Sequence, residues 1–181
     1  MVRFCINHQN LKPNEIITTR DFPVHNEHIL KIYFKICKKG YHKILPPTPV
    51  IPLFVGLPLL GGKSKKVQEY NKRIKKYIKK NKRIKYLMLD GSHKTTALFL
   101  THNKINSVIF EKDVDIKEFV DLVQIGEVFS LSTKETIKDS LMEMAKHLKD
   151  ARFFETIEDK TKRMVGEKVI PKFMIDYYRN K

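Results

Sequence analysis

Hydrophobic and polar positions along the chain change rhythm several times, and each change marks an element. From Val24 to Lys38, Ile29, Leu30, Ile32, Tyr33, Ile36 and Cys37 recur at helical spacing, and Gly40 follows where a helix end favours positive φ. Residues 64–81 carry Val67, Tyr70, Ile74, Tyr77 and Ile78 on one helical face with lysines on the others. That pattern predicts an amphipathic helix lying on the body. "VRFCIN", "RIKYLMLD" and "KINSVIFEKD" read as strands, and "LKPNEIITTRDF" as a loop bending at Pro13, Asn14 and Glu15. "ILPPTPVIPLFV" reads as extended, but its four prolines argue against a central strand and leave "VIPLFV" as an edge. "SHKTTALFLTHN" predicts a helix capped by Ser92. Residues 115–124 predict a short helix. Thr133 to Leu148 predicts another, on Ile137, Leu141, Met144, Ala145 and Leu148. The tail 155–178 predicts two helical pieces broken near Gly166 and Pro171.

Strands dominate the first 110 residues and helices the remainder, so the fold class is α+β. The expected organisation is a domain at 1–125, with a basic helical insertion at 63–85, and a helical segment at 126–181 packed on it. The length of 181 residues suits one domain with such an appendage.

Charge changes the picture at one place. Net charge is +16, and residues 63–85 hold twelve Lys or Arg against the single acid Glu69. That balance favours phosphate-bearing partners and makes nucleic acid a candidate for this segment. Cys5 and Cys37 have no metal-ligand spacing and point to a reducing compartment. The N-terminus lacks a signal-peptide pattern, and the longest apolar run, "VIPLFVGLPLL", is too short to span a bilayer. The expectation is a soluble cytoplasmic protein with no membrane partner.

The densest chemistry lies in "YLMLDGSHKTTALFL", residues 86–100, where an apolar run breaks at Asp90-Gly91 and resumes as a helix. A helix start leaves backbone N–H groups unpaired, and these, with the helix dipole, attract anions. Gly91 permits close approach, Lys94 and His93 add positive or donor groups, and Ser92, Thr95 and Thr96 add hydroxyls. Asp90 stands where a carboxylate can hold Mg²⁺ against phosphate oxygens. The spacing is not that of a P-loop.

"LDGSHKTTAL" resembles the D-G-x-H-R-x-x-A-L signature of the ParB/sulfiredoxin superfamily. Upstream and in the same order, "LKPNE" resembles the L-x-P-x-E stretch of its archaeal free-serine-kinase members, and "ILPPTPVI" their Pro-Pro-hydrophobic strand. The resemblance covers roughly residues 4–110. It implies a small mixed sheet with helices in which this corner grips the phosphates of ATP or ADP with Mg²⁺. Carried over by position, Gly91, Ser92, His93, Lys94 and Thr95 are cofactor contacts, and Asp90 and His93 stand beside the transferred group. Glu15 falls at the position of the glutamate that serves as general base for L-serine or a similar small hydroxyl compound. The alternative is a ParB-like nucleotide-gated DNA-binding or nuclease-like protein.

Three departures stand out. Ser92 replaces the cysteine of sulfiredoxins, which removes the thiolate needed for sulfinic-acid reduction. Lys94 replaces an arginine, keeping charge but losing the bidentate fork. The basic insertion lengthens the connection before the corner. His8, His25, His28, His42 and His102 show no metal constellation, and Arg20 lies near Glu15 as a possible substrate contact or a partner of Asp21. The aromatics Phe153, Phe154, Phe173, Tyr177 and Tyr178 read as tail packing.

Overall fold

The computed structural model describes residues 7–18, 26–126 and 134–180. The predicted strand at "VRFCIN" and Cys5, Arg20, Asp21, His25 and Thr133 lie outside them or at their edge. Within the described residues the strands are β1 Asn7–Leu11, β2 Ile16–Ile17, β3 Thr48–Pro52, β4 Tyr86–Met88 and β5 Ile105–Ile109. The helices are α1 Glu27–Lys38, α2 Lys65–Lys80, α3 Ser92–Leu100, α4 Asp113–Gln124, α5 Ile137–Leu148, α6 Ile157–Gly166 and α7 Lys172–Arg179.

The strands form one mixed sheet in the order β1-β5-β3-β4-β2. β1 pairs antiparallel with β5, β3 parallel with β5 and antiparallel with β4, and β2 parallel with β4. Alternation sends neighbouring residues to opposite faces. Ile16, Val50, Met88, Ile105 and Ile109 join a core with α1, α3, α6 and α7. Ile17, Ile51, Leu87 and Val108 join a second core with α2, α4 and α5. The chain is therefore α+β with helices on both faces, and the helical segment after residue 126 contributes to both cores.

One expectation is overturned here. β3 is the central strand, not an edge, despite Pro49 and Pro52. The sheet tolerates them because each lies where a neighbour's ladder has ended. Pairing to β4 covers Val50 to Pro52, and pairing to β5 covers Thr48 to Val50. The carbonyls are still used: Pro49 O accepts from Leu89 N at 2.9 Å. The general rule against proline in a central strand concerns a missing donor, and here no ladder needs it.

The helices follow the predicted periodicity. α1 is capped by the Asn26 side chain, which accepts from the His28 and Ile29 N–H groups. It buries Leu30, Phe34 and Cys37, and Gly40 after it has φ +84°. Ile29 and Ile32, read as part of its apolar face, are exposed. α2 buries Tyr70 and Ile74. Of the tail aromatics, Phe154 lies edge-on to Tyr70 and Tyr177 edge-on to Phe34, whereas Phe153 and Phe173 are exposed.

Candidate functional site

The corner begins where β4 stops. Leu89 donates to Pro49 O, and the chain then bends through Asp90 into Gly91, which has φ +103° and ψ +27° and is the residue before α3. Left-handed backbone of this kind favours glycine. A Cβ there would also stand 3.3 Å from Lys94 Cε. Asp90 Oδ1 accepts from the Gly91 N–H at 2.6 Å. Asp90, Gly91, Ser92 and His93 remain partly accessible to solvent.

Ser92 does not cap the helix; Gly91 occupies the cap position, and no side-chain capping bond is made. Ser92 is the first helical residue, and its Oγ faces Lys160 Nζ at 3.1 Å. Lys160 comes from α6 and is only 2% exposed. α6 is held there by its start. Thr156 bridges to Ile17, Thr18 N donates to Glu155 O at 3.0 Å, and the Arg163 guanidinium grips both carboxylate oxygens of Glu155 at 2.8 Å.

Lys94 turns inward. Its Nζ donates to Pro46 O at 2.6 Å and Pro47 O at 3.0 Å, tying the corner to the start of β3. Burial pushes its pKa down to about 8, while the charge of Asp90 acts the other way. Its ammonium is thus a buried strut that still carries charge at neutral pH. His93 Nε2 accepts from Asn26 N at 3.1 Å, which places the ring proton of the neutral imidazole on Nδ1 and links the corner to the cap of α1. Thr95 is buried, with its hydroxyl donating to Gly91 O at 3.0 Å inside its own helix, so the cofactor contact expected of it has no exposed hydroxyl to use. Thr48 lies against Gly91, with Cγ2 3.7 Å from the position a Cβ would take; its buried Oγ1 has no hydrogen-bond partner among the described residues.

Glu15 is placed elsewhere. Its Oε1 accepts from Lys85 Nζ at 2.9 Å and its Oε2 from Lys12 N at 3.1 Å. Lys85 N also donates to Glu15 O. Glu15 therefore sits at the start of β4, whereas the corner lies past its end. At ~3.3 Å per strand residue, the stretch from Lys85 to Met88 alone spans about 10 Å, and Asp90 lies beyond it. Burial works to raise the Glu15 carboxyl, but the Lys85 ammonium and the Lys12 N–H outweigh it and hold the pKa below the usual value. The structure therefore pairs Glu15 with Lys85 at the start of β4 and does not bring it to the corner beyond the other end of that strand.

Among the described residues no group of three or more His, Cys, Asp or Glu can hold a metal. Asp90 is one carboxylate, whose Oδ1 accepts from the Gly91 N–H. It suits Mg²⁺ only as a single ligand to an ion otherwise held by phosphate oxygens and water.

Lys160 escaped the motif search because no motif extends beyond residue 112. Its signal was nonetheless present: Ile157, Lys160, Thr161 and Met164 occupy one helical stripe, and all are buried. A lysine in a core register needs a polar partner. A cavity of about 670 Å³ lies between the 55–61 loop and α5, lined by Val55, Leu57, Leu59, Asp113, Ile137 and Leu141 among others, and includes none of the corner residues. No described helix is long and apolar enough to cross a membrane. Comparison with protein-family models, with curated proteins and with solved structures finds no match.

Proposed function

We propose that the Asp90–Lys94 corner binds the phosphates of a nucleotide, and that the chain is a phosphotransferase of the free-serine-kinase type. Its donor is ATP or ADP, and its acceptor the hydroxyl of L-serine or a similar small molecule. One observation carries this reading: the buried Lys160 reaches from α6 to Ser92, in the first turn of a helix that has no side-chain cap, and the buried Lys94 of that same turn stands beside Gly91. Backbone N–H groups of the first turn, the positive end of the α3 dipole and two ammonium groups make a strongly anion-favouring environment.

In the transfer, the acceptor oxygen forms a bond to the terminal phosphorus as the bond to the nucleotide's bridging oxygen breaks. The hydroxyl proton passes to a carboxylate. Asp90 is that carboxylate at the corner, and Glu15 is not. The protein's part is placement and neutralisation of phosphate charge by Lys160 and the α3 amides, with the neutral His93 ring offering its Nδ1–H as a donor. Mg²⁺ arriving with the nucleotide would supply further neutralisation.

Calorimetry with ATP, ADP and CTP, each with Mg²⁺, tests the binding step, and phosphoserine formation from serine tests the transfer. Binding without any product would leave the ParB-like nucleotide-gated alternative, which shares this corner. No heat with any of the three would remove both.

A further inference from the structure

The lysines of α2 play no part in that corner, yet they are held in a defined arrangement. Tyr70 and Ile74 are buried, Tyr70 Oη donates to Pro58 O at 2.6 Å, and Arg73 Nη2 donates to Ala151 O at 2.6 Å. These contacts fix the rotation of the helix about its axis. At 3.6 residues per turn, Lys65, Lys72, Lys76 and Lys79 then fall within an arc of about 60° on the outward side, over about 21 Å of helix. Lys75 and Lys80 flank them, and Glu69 is the one acid on that side.

The cations of this segment that have acidic partners lie off the stripe: Lys66 with Asp150 at 2.8 Å, Arg83 with Asp159 at 3.8 Å, and Lys85 with Glu15. No ion pair involves Lys65, Lys72, Lys75, Lys76, Lys79 or Lys80 among the described residues. The arrangement disfavours the helix by itself. Lys72 and Lys76, and Lys76 and Lys80, are like charges one turn apart, which destabilise a helix. The first turn holds Lys65 and Lys66 and no acid, so its charge opposes the macrodipole. A polyanion along the stripe reverses both effects.

The side chains present select the kind of polyanion. Arg73 is engaged by Ala151 O, Arg152 O and the Phe154 ring, so no guanidinium fork on the stripe is left to read base edges. Tyr70 is buried and Tyr77 packs on Phe154, so α2 offers no exposed ring on which a base could stack. What remains is a row of point charges.

We infer that α2 is a sequence-independent docking surface for the sugar-phosphate backbone of double-helical nucleic acid. The surface is separate from the Asp90 corner, and neither inference depends on the other.

The test is fluorescence anisotropy of the full chain with a labelled duplex of about 20 base pairs between about 50 and about 200 mM salt. Four lysines on phosphates predict a slope of log K against log salt of about −3.6. Scrambling the duplex sequence should change affinity less than about twofold. Changing Lys65, Lys72, Lys76 and Lys79 together to Gln should flatten the slope by most of that value and weaken low-salt binding more than about tenfold. The same four changed to Arg should retain it, and the helical circular dichroism of both variants should match the wild type. Absent binding at low salt, an unchanged slope in the Gln variant, tighter binding to a single strand of equal length, or equal competition by polyglutamate would each overturn the inference.

Discussion

Lys94 allows the corner to be tested without any ligand. The residue is only 6% exposed, and its ammonium donates to the Pro46 and Pro47 carbonyls. Burial lowers its pKa to about 8 in the folded chain, whereas an unfolded lysine titrates at about 10.4. Below about pH 8 both states carry the proton, and the folded state bears the desolvation penalty in full. Between the two values the unfolded chain binds more protons, so stability rises with pH. From about pH 7 to about pH 9.5 the linkage integral is about 2 kcal/mol. Lys94→Met keeps the length and apolar stem of the side chain and removes its titration. Urea unfolding of both proteins at those two pH values should show wild type gaining about 2 kcal/mol relative to the variant. The buried Tyr70 and the half-buried Tyr77, whose pKa values burial raises, are common to both proteins and cancel in the difference. Parallel pH profiles would refute the reasoning, because they would mean that the ammonium reaches solvent and does not brace the Pro46-Pro47 segment. The offset between the two proteins at neutral pH is less informative, since lost hydrogen bonds and relieved desolvation oppose each other there.

Gly91→Ala should lose about 1–3 kcal/mol from the strained φ alone, read as a lower midpoint in denaturant unfolding. A midpoint equal to wild type would show that the corner relaxes out of the left-handed region. Lys160→Met should weaken nucleotide binding by about tenfold or more in calorimetry, with partial recovery in Lys160→Arg, as expected for loss of a charge-assisted contact. An unchanged dissociation constant in Lys160→Met would limit that lysine to a structural role. Glu15→Ala should leave phosphoserine formation unchanged, since the carboxylate lies at the far end of β4; a large loss of turnover would contradict the strand pairing given above.

Much of the fold was legible because local pattern and tertiary burial agree. The stripes that predicted α2 and α5 bury Tyr70 and Ile74, and Leu141, Met144 and Leu148. The corner was legible for the same reason: an apolar strand, a glycine and a helical stripe succeed one another within fifteen residues, 86–100. Two features were not. Ser92 looked like a cap because serine is a preferred cap residue, but Gly91 took that position through its positive φ, a preference no spacing rule reveals. β3 looked like an edge because proline counting treats every residue as needing a donor. Which donors are needed depends on where neighbouring ladders end, and that is a property of β4 and β5 rather than of "TPVIP".

The placement of Glu15 follows from strand direction. β2 is two residues long, and its parallel pairing of Ile16 with Tyr86 and Ile17 with Leu87 decides which ends meet. In a parallel pair, residues that precede one strand lie beside residues that precede the other. Glu15 precedes β2 and so meets Lys85, which precedes β4. Thr18 follows β2 and so lies toward the end of β4 that leads into Asp90. It is there that Thr18 N binds Glu155 O and that Thr156 bridges Ile17, which starts α6 and carries Lys160 to Ser92. An antiparallel pairing would have brought Glu15 toward the corner, as the motif order suggested, and would have carried Thr18 away from it. The same two-residue strand therefore holds one candidate catalytic group away from the corner and supplies a buried cation from a segment in which no motif was recognised.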